Sequence, residues 1–271
     1  MNRNDDAYAV TPKKSLGQHF LTSDIVPRWM CDAANLTPGD TVLEIGPGTG
    51  VLTAELLKRQ VTVHAIETDD RSLDFLKTQF SAAITSGKLI LHKHDMRDPL
   101  PTDLFDQSTS YKVVANIPYY LSGQLLRTFL ETSTQPSVIV FLIQKELAER
   151  IARAKKSSLL QLSVQAFGTP RYVKTVTAGH FHPPPKVTSA ILAISDITHN
   201  RVPTTLTKHF FTVLHAGFAH KRKFSLSNLA RHWSRPIVQD LFQTHGIALQ
   251  ARPEDITLQQ WIQLSQSLPM Q

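Results

Sequence analysis

Asn116-Ile117-Pro118-Tyr119 carries the densest chemistry in the chain and closes an apolar, strand-like run, Lys112–Ala115. An exocyclic amine on adenine is a poor nucleophile, because its lone pair is delocalised into the ring. Alkylating it calls for acceptors that hold the two amino hydrogens and draw the nitrogen toward tetrahedral geometry. The Asn116 side-chain oxygen and the Ile117 carbonyl are such acceptors. Pro118 stiffens the turn that aims the carbonyl, and Tyr119 supplies a ring on which a flipped-out base stacks.

A second group of residues suits a nucleoside cofactor. The run VLEIGPGTG, Val42 to Gly50, takes an apolar strand into a glycine-rich turn, with Gly46 and Gly48 giving a ligand access to bare backbone. Glu67 ends the next strand, 21 residues after Gly46, where a carboxylate accepts from both hydroxyls of a ribose. Asp95 follows a third strand and would accept from the cofactor's adenine amino group. The third glycine comes at Gly50, one place too early for a dinucleotide fingerprint, and Val51 fills the expected position. That spacing favours S-adenosylmethionine, which has no pyrophosphate, over a nicotinamide dinucleotide.

The elements that must position these groups are legible as alternation. Strand-like runs Thr41–Ile45, Val61–Ile66, Leu89–His94, Lys112–Ala115 and Ser137–Ile143 are separated by helical patterns Leu52–Arg59, Arg71–Phe80 and Gly123–Leu130. Such alternation predicts βαβ units and a parallel sheet covered by helices. Val173–Ala178 and Ser189–Ile194 read as an antiparallel pair at the sheet's edge. After Ile194 only helical periods remain, over 205–219, 221–233, 236–244 and 257–268. The expected organisation is a flexible tail over 1–12, an α/β domain over 13–195 and a small all-helical domain over 196–271.

Composition bounds the function. A chain of 271 residues, 41% hydrophobic and 19% charged, builds a real core. Its longest apolar run, Ser137–Ile143, is far short of the ~18–20 residues of a membrane span. The lone Cys31 excludes an internal disulfide or a cysteine-based zinc finger, and a reducing cytoplasm is the expected setting. Twelve histidines never combine with a cysteine or carboxylate at ligand spacing, so no metal is expected. The net charge is +7, and residues 196–271 carry eight Lys and Arg against four Asp and Glu. A basic surface of this kind draws polyanions through counterion release. The densest cluster is Lys221, Arg222 and Lys223; a second, Arg150, Arg153, Lys155 and Lys156, reads as a basic helix face after the fifth strand.

GPGTG and NIPY occur with an opening Lys14–Leu21, KSLGQHFL, and a later Phe181–Ala190, FHPPPKVTSA. Together, from about Lys13 to Leu264, these motifs resemble the ribosomal RNA adenine N6,N6-dimethyltransferase family of the small-subunit (16S) type. The resemblance implies a Rossmann-like S-adenosylmethionine methyltransferase fold: a mostly parallel seven-stranded sheet with an antiparallel edge strand, plus the helical C-terminal domain. It implies cofactor contacts from His19, Leu21, Gly46, Gly48, Glu67, Asp95 and Asn116. Tyr119 and Phe181 would sandwich the target adenine. The implied activity is dimethylation of two adjacent adenosines near the 3′ end of 16S rRNA, by a monomer, within an immature small subunit. An alternative is a large-subunit rRNA methylase of the macrolide-resistance type, which the Gly17-Gln-His-Phe20 opening, the triple proline and the basic C-terminal stretch disfavour. Another is a non-catalytic RNA-binding assembly or transcription factor, which the intact Asn116–Tyr119 and Glu67 disfavour. Two segments depart from the family: Lys155–Val164 lacks the usual Tyr and Gly, and Phe224 stands where a Thr follows the basic triplet. The first departure bears on the target-base entrance.

Overall fold

The computed structural model describes residues 10–13, 17–101, 104, 110–220 and 222–270. Chain order runs β1 Phe20–Leu21, α1 Ile25–Ala33, β2 Thr41–Ile45, α2 Val51–Lys58, β3 Thr62–Glu67, α3 Asp70–Gln79, α4 Ser81–Thr85, β4 Leu89–Lys93, β5 Tyr111–Asn116, α5 Ser122–Glu131, β6 Val138–Gln144, α6 Lys145–Ala152, α7 Leu159–Gln165, β7 Thr169–Val176, β8 Phe181–His182 and β9 Ser189–Ser195. The helices α8 Thr204–Phe218, α9 Ser225–Leu229, α10 Arg235–Thr244 and α11 Leu258–Ser267 complete it.

Seven strands form one sheet in the order β4-β3-β2-β5-β6-β9-β7. All run parallel except β9, which is antiparallel to β6 on one side and to β7 on the other. The expected antiparallel edge pair is therefore β9 with β7. Successive strand residues serve opposite faces, as a period of two requires. Ile139, Phe141 and Ile143 enter one core cluster with α5 and α7 residues, whereas Val140 and Leu142 enter the other with Val26 and Met30 of α1 and Leu52 and Leu56 of α2. Burial on both faces explains why β6 reads as an unbroken apolar run rather than an alternating one.

The first of these clusters continues without a break into Phe210, Val213 and Leu214 of α8 and Trp261 of α11, so the helical C-terminal unit shares a core with one face of the sheet. Within that unit Gly217 lets α8 and α11 pack closely: a side chain there would collide with the Trp261 ring. Among the described residues no helix is long and apolar enough to cross a membrane.

Sequence periodicity did not foresee α1, α4 or α7. The departing segment 155–164 is partly α7, whose N-terminus is capped by Ser158 Oγ accepting from the Gln161 N–H (3.2 Å). The Ser157 N–H donates to the Glu254 carbonyl (3.2 Å), tying the loop before α7 to the C-terminal unit. The segment contributes nothing to the cavity described next. A two-stranded sheet, β1 with β8, was also unforeseen; two-residue strands carry no periodicity to detect.

Candidate active site

The carboxyl ends of β2, β3 and β5, with the turn after β4, converge on one cavity, with an empty volume of about 850 Å³ counting its open mouth. This is where strand order reverses, β3 and β4 lying to one side of β2 and β5 and β6 to the other, and ligands bind open α/β sheets at such a switch point. His19, Gly46, Gly48, Glu67, Asp95, Asn116, Ile117, Pro118 and Tyr119 all line it.

The β2–α2 turn is shaped by left-handed backbone at Gly46 (φ 64°), Gly48 (φ 56°) and Gly50 (φ 77°), a region open to glycine at little cost. A Cβ at Gly46 would meet no atom within 4 Å, so the backbone is bare there. A Cβ at Gly48 would lie 2.7 Å from the Phe20 ring, which lies against the turn. Glu67 ties this turn to β3: Oε2 accepts from the Gly48 N–H (3.2 Å), and Oε1 accepts from the N–H groups of Thr68 (2.8 Å) and Asp69 (3.0 Å). Burial pushes its carboxyl pKa above the ordinary range, against these three N–H bonds that pull it down.

Asp95 is held differently. Arg97 donates to it from its backbone N–H (2.9 Å) and from its guanidinium (Nε 3.0 Å), and this pulls the carboxyl down to about 2. The carboxylate that would receive the cofactor's amino group thus arrives already ionised and oriented.

Asn116 is the last residue of β5. Its Nδ2 donates to the His19 carbonyl (3.1 Å), which leaves the side-chain oxygen as the acceptor available to a ligand. Pro118 holds φ −55° and ψ 133°, extended geometry that turns the chain into Tyr119. The Tyr119 hydroxyl pairs with Ser189 Oγ (2.7 Å) on β9, and its ring stacks on His19 with centroids 5.9 Å apart. The ring is thus fixed at both ends.

The N-terminal segment is clamped over this cavity. β1 pairs with β8, and His19 Nδ1 lies 2.7 Å from the Pro183 carbonyl. At the other end, Asp69 caps α3 and accepts from Arg71 (Nε, 3.1 Å), pairs with Lys13 (3.5 Å) and accepts from Gln18 Nε2 (3.5 Å), while Arg71 also donates to the Thr11 carbonyl (3.1 Å). The Arg71 hydrogen bonds above all hold the Asp69 carboxyl down at about 2.

Two of the site residues lie apart from the cavity, and one expectation needs correcting. Leu21 and Phe181 are register partners in the β1–β8 pair, 5% and 4% exposed, and both belong to the core cluster of α1 and α2. Neither is among the residues that line the cavity. Alternation along a two-residue strand sends neighbouring side chains to opposite sides, and it is Phe20 that reaches the cavity. The basic face after the fifth strand is also not one helix. Arg150 lies on α6 and Arg153 caps it with its guanidinium 3.8 Å over the Tyr172 ring; Lys155 and Lys156 follow in the loop, Lys156 paired with Glu254 (3.1 Å). Of the C-terminal triplet, Arg222 and Lys223 are exposed in the α8–α9 turn; Lys221 lies outside the described residues.

Sequence reading also missed Phe20, Thr68, Met96, Arg97 and Tyr120 in the cavity wall. Each sits within two positions of a residue it singled out, so proximity to the motifs was the available signal.

A sequence profile of the ribosomal RNA adenine dimethylase family matches residues 10–269. A ribosomal RNA small subunit methyltransferase A from Dehalococcoides mccartyi strain BAV1 is 38% identical over 262 residues, 96% of this chain and 89% of that one. Its counterpart from Synechococcus sp. strain CC9311 is 35% identical over 268 residues, 95% of each chain. In structure, a dimethyladenosine transferase from Plasmodium falciparum superposes with a TM-score of 0.76 at 24% identity, over 91% of this chain and 96% of that one. The 23S rRNA methyltransferase ErmE gives 0.73 at 23%, over 92% and 99%; at these identities the likeness is one of fold. With a glycine turn, strand-end carboxylates and an Asn-Ile-Pro-Tyr turn around one cavity, and a family match over nearly its whole length, the chain belongs to the ribosomal RNA adenine dimethylase family.

Proposed function

We propose that the protein transfers methyl groups from S-adenosylmethionine to the N6 amino groups of two adjacent adenosines in the 3′-terminal hairpin of 16S rRNA, within an immature small ribosomal subunit. The observation that carries this reading is Asn116, its amide N–H spent on the His19 carbonyl and its oxygen left to accept from a substrate amine. The residues present fit the cofactor. Gly46 and Gly48 offer bare backbone, Glu67 a buried carboxylate for ribose hydroxyls, and Asp95 an ionised carboxylate at the adenine end.

Bound S-adenosylmethionine supplies an electrophilic methyl group on a sulfonium sulfur. The chain's own part is positioning, which is the main resource for a direct displacement. The Asn116 oxygen and the Ile117 carbonyl accept from the amino hydrogens of the target adenine. Pro118 fixes that carbonyl's direction, and Tyr119, immobilised by Ser189 and His19, stacks on the base. The proton released on alkylation passes to water, so no side-chain base is needed.

Docking belongs to the basic surfaces. Arg222 and Lys223, exposed beside Lys221, would meet phosphate on the C-terminal unit, residues 196–271, while Arg150 and Lys155 would do so nearer the α/β domain. The large-subunit reading is not favoured, since the close relatives carry the small-subunit name. The test is mass spectrometry of rRNA from small subunits lacking the modification, incubated with protein and S-adenosylmethionine. Dimethyladenosine should form with the wild type and not with Asn116→Ala, which should fold normally. Transfer to large subunits instead, or near wild-type turnover by the variant, would overturn the assignment.

A further inference from the structure

Five aromatic or imidazole rings line the cavity: His19, Phe20, Tyr119, Tyr120 and the half-buried His94. Three are already committed. Phe20 is buried against the glycine turn, and His19 and Tyr119 cover one face of each other. Tyr120 alone points outward: it is 60% exposed, although its neighbour Leu121 is buried in the core. The turn after Pro118 therefore splits three consecutive residues between cavity, rim and core.

The Tyr120 ring does not hang free. It rests beside Gly17, where an added Cβ would lie 3.3 Å from Cε1 and 3.5 Å from Cδ1. Gly17 has φ +62° and no side chain, so the ring can lie against backbone on that side. Its other surroundings are open to solvent. Next to it stands Arg97, exposed, its Nε and Nη2 held by Asp95 and its Nη1 turned to neither carboxylate oxygen, within electrostatic reach of the Tyr120 hydroxyl. A supported ring with an open face, beside an arginine, at the mouth of the cavity that holds Asn116 is a combination that suits single-stranded nucleic acid: stacking for a base and a guanidinium edge for its phosphate.

We infer that Tyr120 is a stacking platform for the unpaired base that flanks the target adenosine, and that Arg97 meets the phosphate between the two. The inference rests on the adenosine-methylating function proposed above. Inside the cavity only one base can approach Asn116; its neighbour must wait outside, and Tyr120 is the ring that faces outside. Stacking requires a π-face and no hydroxyl, so the side chain acts by area and not by proton transfer. It is a substrate-binding determinant, distinct from the Asn116–Tyr119 group that contacts the reacting base.

The test uses the full-length protein and the variants Tyr120→Ala, Tyr120→Leu and Tyr120→Phe, with three measurements. On small subunits lacking the modification, Tyr120→Ala should raise KM by roughly tenfold with kcat kept, Tyr120→Phe should match the wild type, and Tyr120→Leu should fall between. In a fluorescence titration with a short unstructured oligoadenylate, Tyr120→Ala should weaken binding by a similar factor. Calorimetry with S-adenosylmethionine should give unchanged affinity in all three variants. Equal KM and oligoadenylate affinity across the series would overturn the inference, as would a loss confined to cofactor affinity, which would make Tyr120 a cofactor contact. The oligoadenylate arm needs no turnover, so it decides the platform separately from whether rRNA is the substrate.

Discussion

Glu67→Gln changes one atom at the point where the glycine turn, β3 and the expected ribose site meet. The wild-type carboxylate accepts three backbone N–H groups, from Gly48, Thr68 and Asp69. A glutamine has one oxygen. The arrangement of least conflict keeps that oxygen on Thr68 and Asp69, whose bonds are shorter, and turns the NH2 toward the Gly48 N–H, donor against donor. One buried hydrogen bond is lost and one backbone donor is left unsatisfied, a cost of about 1–3 kcal/mol. Part of that cost falls on folding and should appear as a lower urea midpoint without cofactor. The remainder falls on ligand affinity, because the amide cannot accept from both ribose hydroxyls and no longer holds Gly48 in place. Calorimetry with S-adenosylhomocysteine should show affinity reduced by about fivefold to a hundredfold. The pH dependence gives a second reading. Burial raises the Glu67 carboxyl, so wild-type affinity should fall in acid from above the usual carboxylate range, while the glutamine variant stays flat. Wild-type affinity and stability in the variant would refute the placement of ribose on Glu67.

Glu44 is fully buried, accepts only from Thr53 Oγ1 (2.7 Å), and burial pushes its carboxyl up to about 8. Its folded value lies above its unfolded one, so the native state keeps the proton between about pH 4.5 and 8. Stability should be full below that window and a few kcal/mol lower above it; Glu44→Gln should remove this slope in urea unfolding at pH 5 and pH 8.5, and equal slopes would exclude a protonated Glu44. Phe181→Ala should cost about 3–5 kcal/mol of stability, the price of a core aromatic, while the folded fraction keeps its cofactor affinity. Full stability with lost turnover would return Phe181 to the base site. Asp69→Ala should release the clamp on the N-terminal segment, so proteolysis before Phe20 quickens and cofactor KM rises; unchanged cleavage would show that the β1–β8 pair holds the segment alone.

The sheet was legible because its strands are buried on both faces and separated by helical periods. Thr41–Ile45 was placed to the residue and β3 to β6 to within one, whereas β7 begins four residues before the expected Val173. The edge pair was visible from two apolar runs flanking the prolines. What sequence could not register was structure held by long-range contact alone. The β1–β8 pair joins residues some 160 positions apart through two-residue strands. The continuity of core from Phe141 to Trp261 is likewise a tertiary fact, as is Gly217 yielding space to the Trp261 indole within the C-terminal unit.

The site shows the same division more sharply. Residues at strand ends, Glu67, Asp95 and Asn116, were found because a parallel sheet with a known switch point fixes where its carboxyl edge lies. Of the residues that orient them only His19 was named, and as a cofactor contact. Arg97 sets the charge state of Asp95, His19 sets which end of the Asn116 amide faces the ligand, and Asp69 ties down the segment that carries His19. Arg97 and Asp69 act from outside the motifs, and His19 acts through its backbone carbonyl, where side-chain type leaves no mark. Phe181 is the converse case. Its type and its proline-rich neighbours suit a base-stacking ring, but a ring's role depends on which face of a strand it occupies. Pairing with Leu21 turns Phe181 into the core and leaves the cavity mouth to Tyr120, a residue that its neighbours in the motif overshadowed.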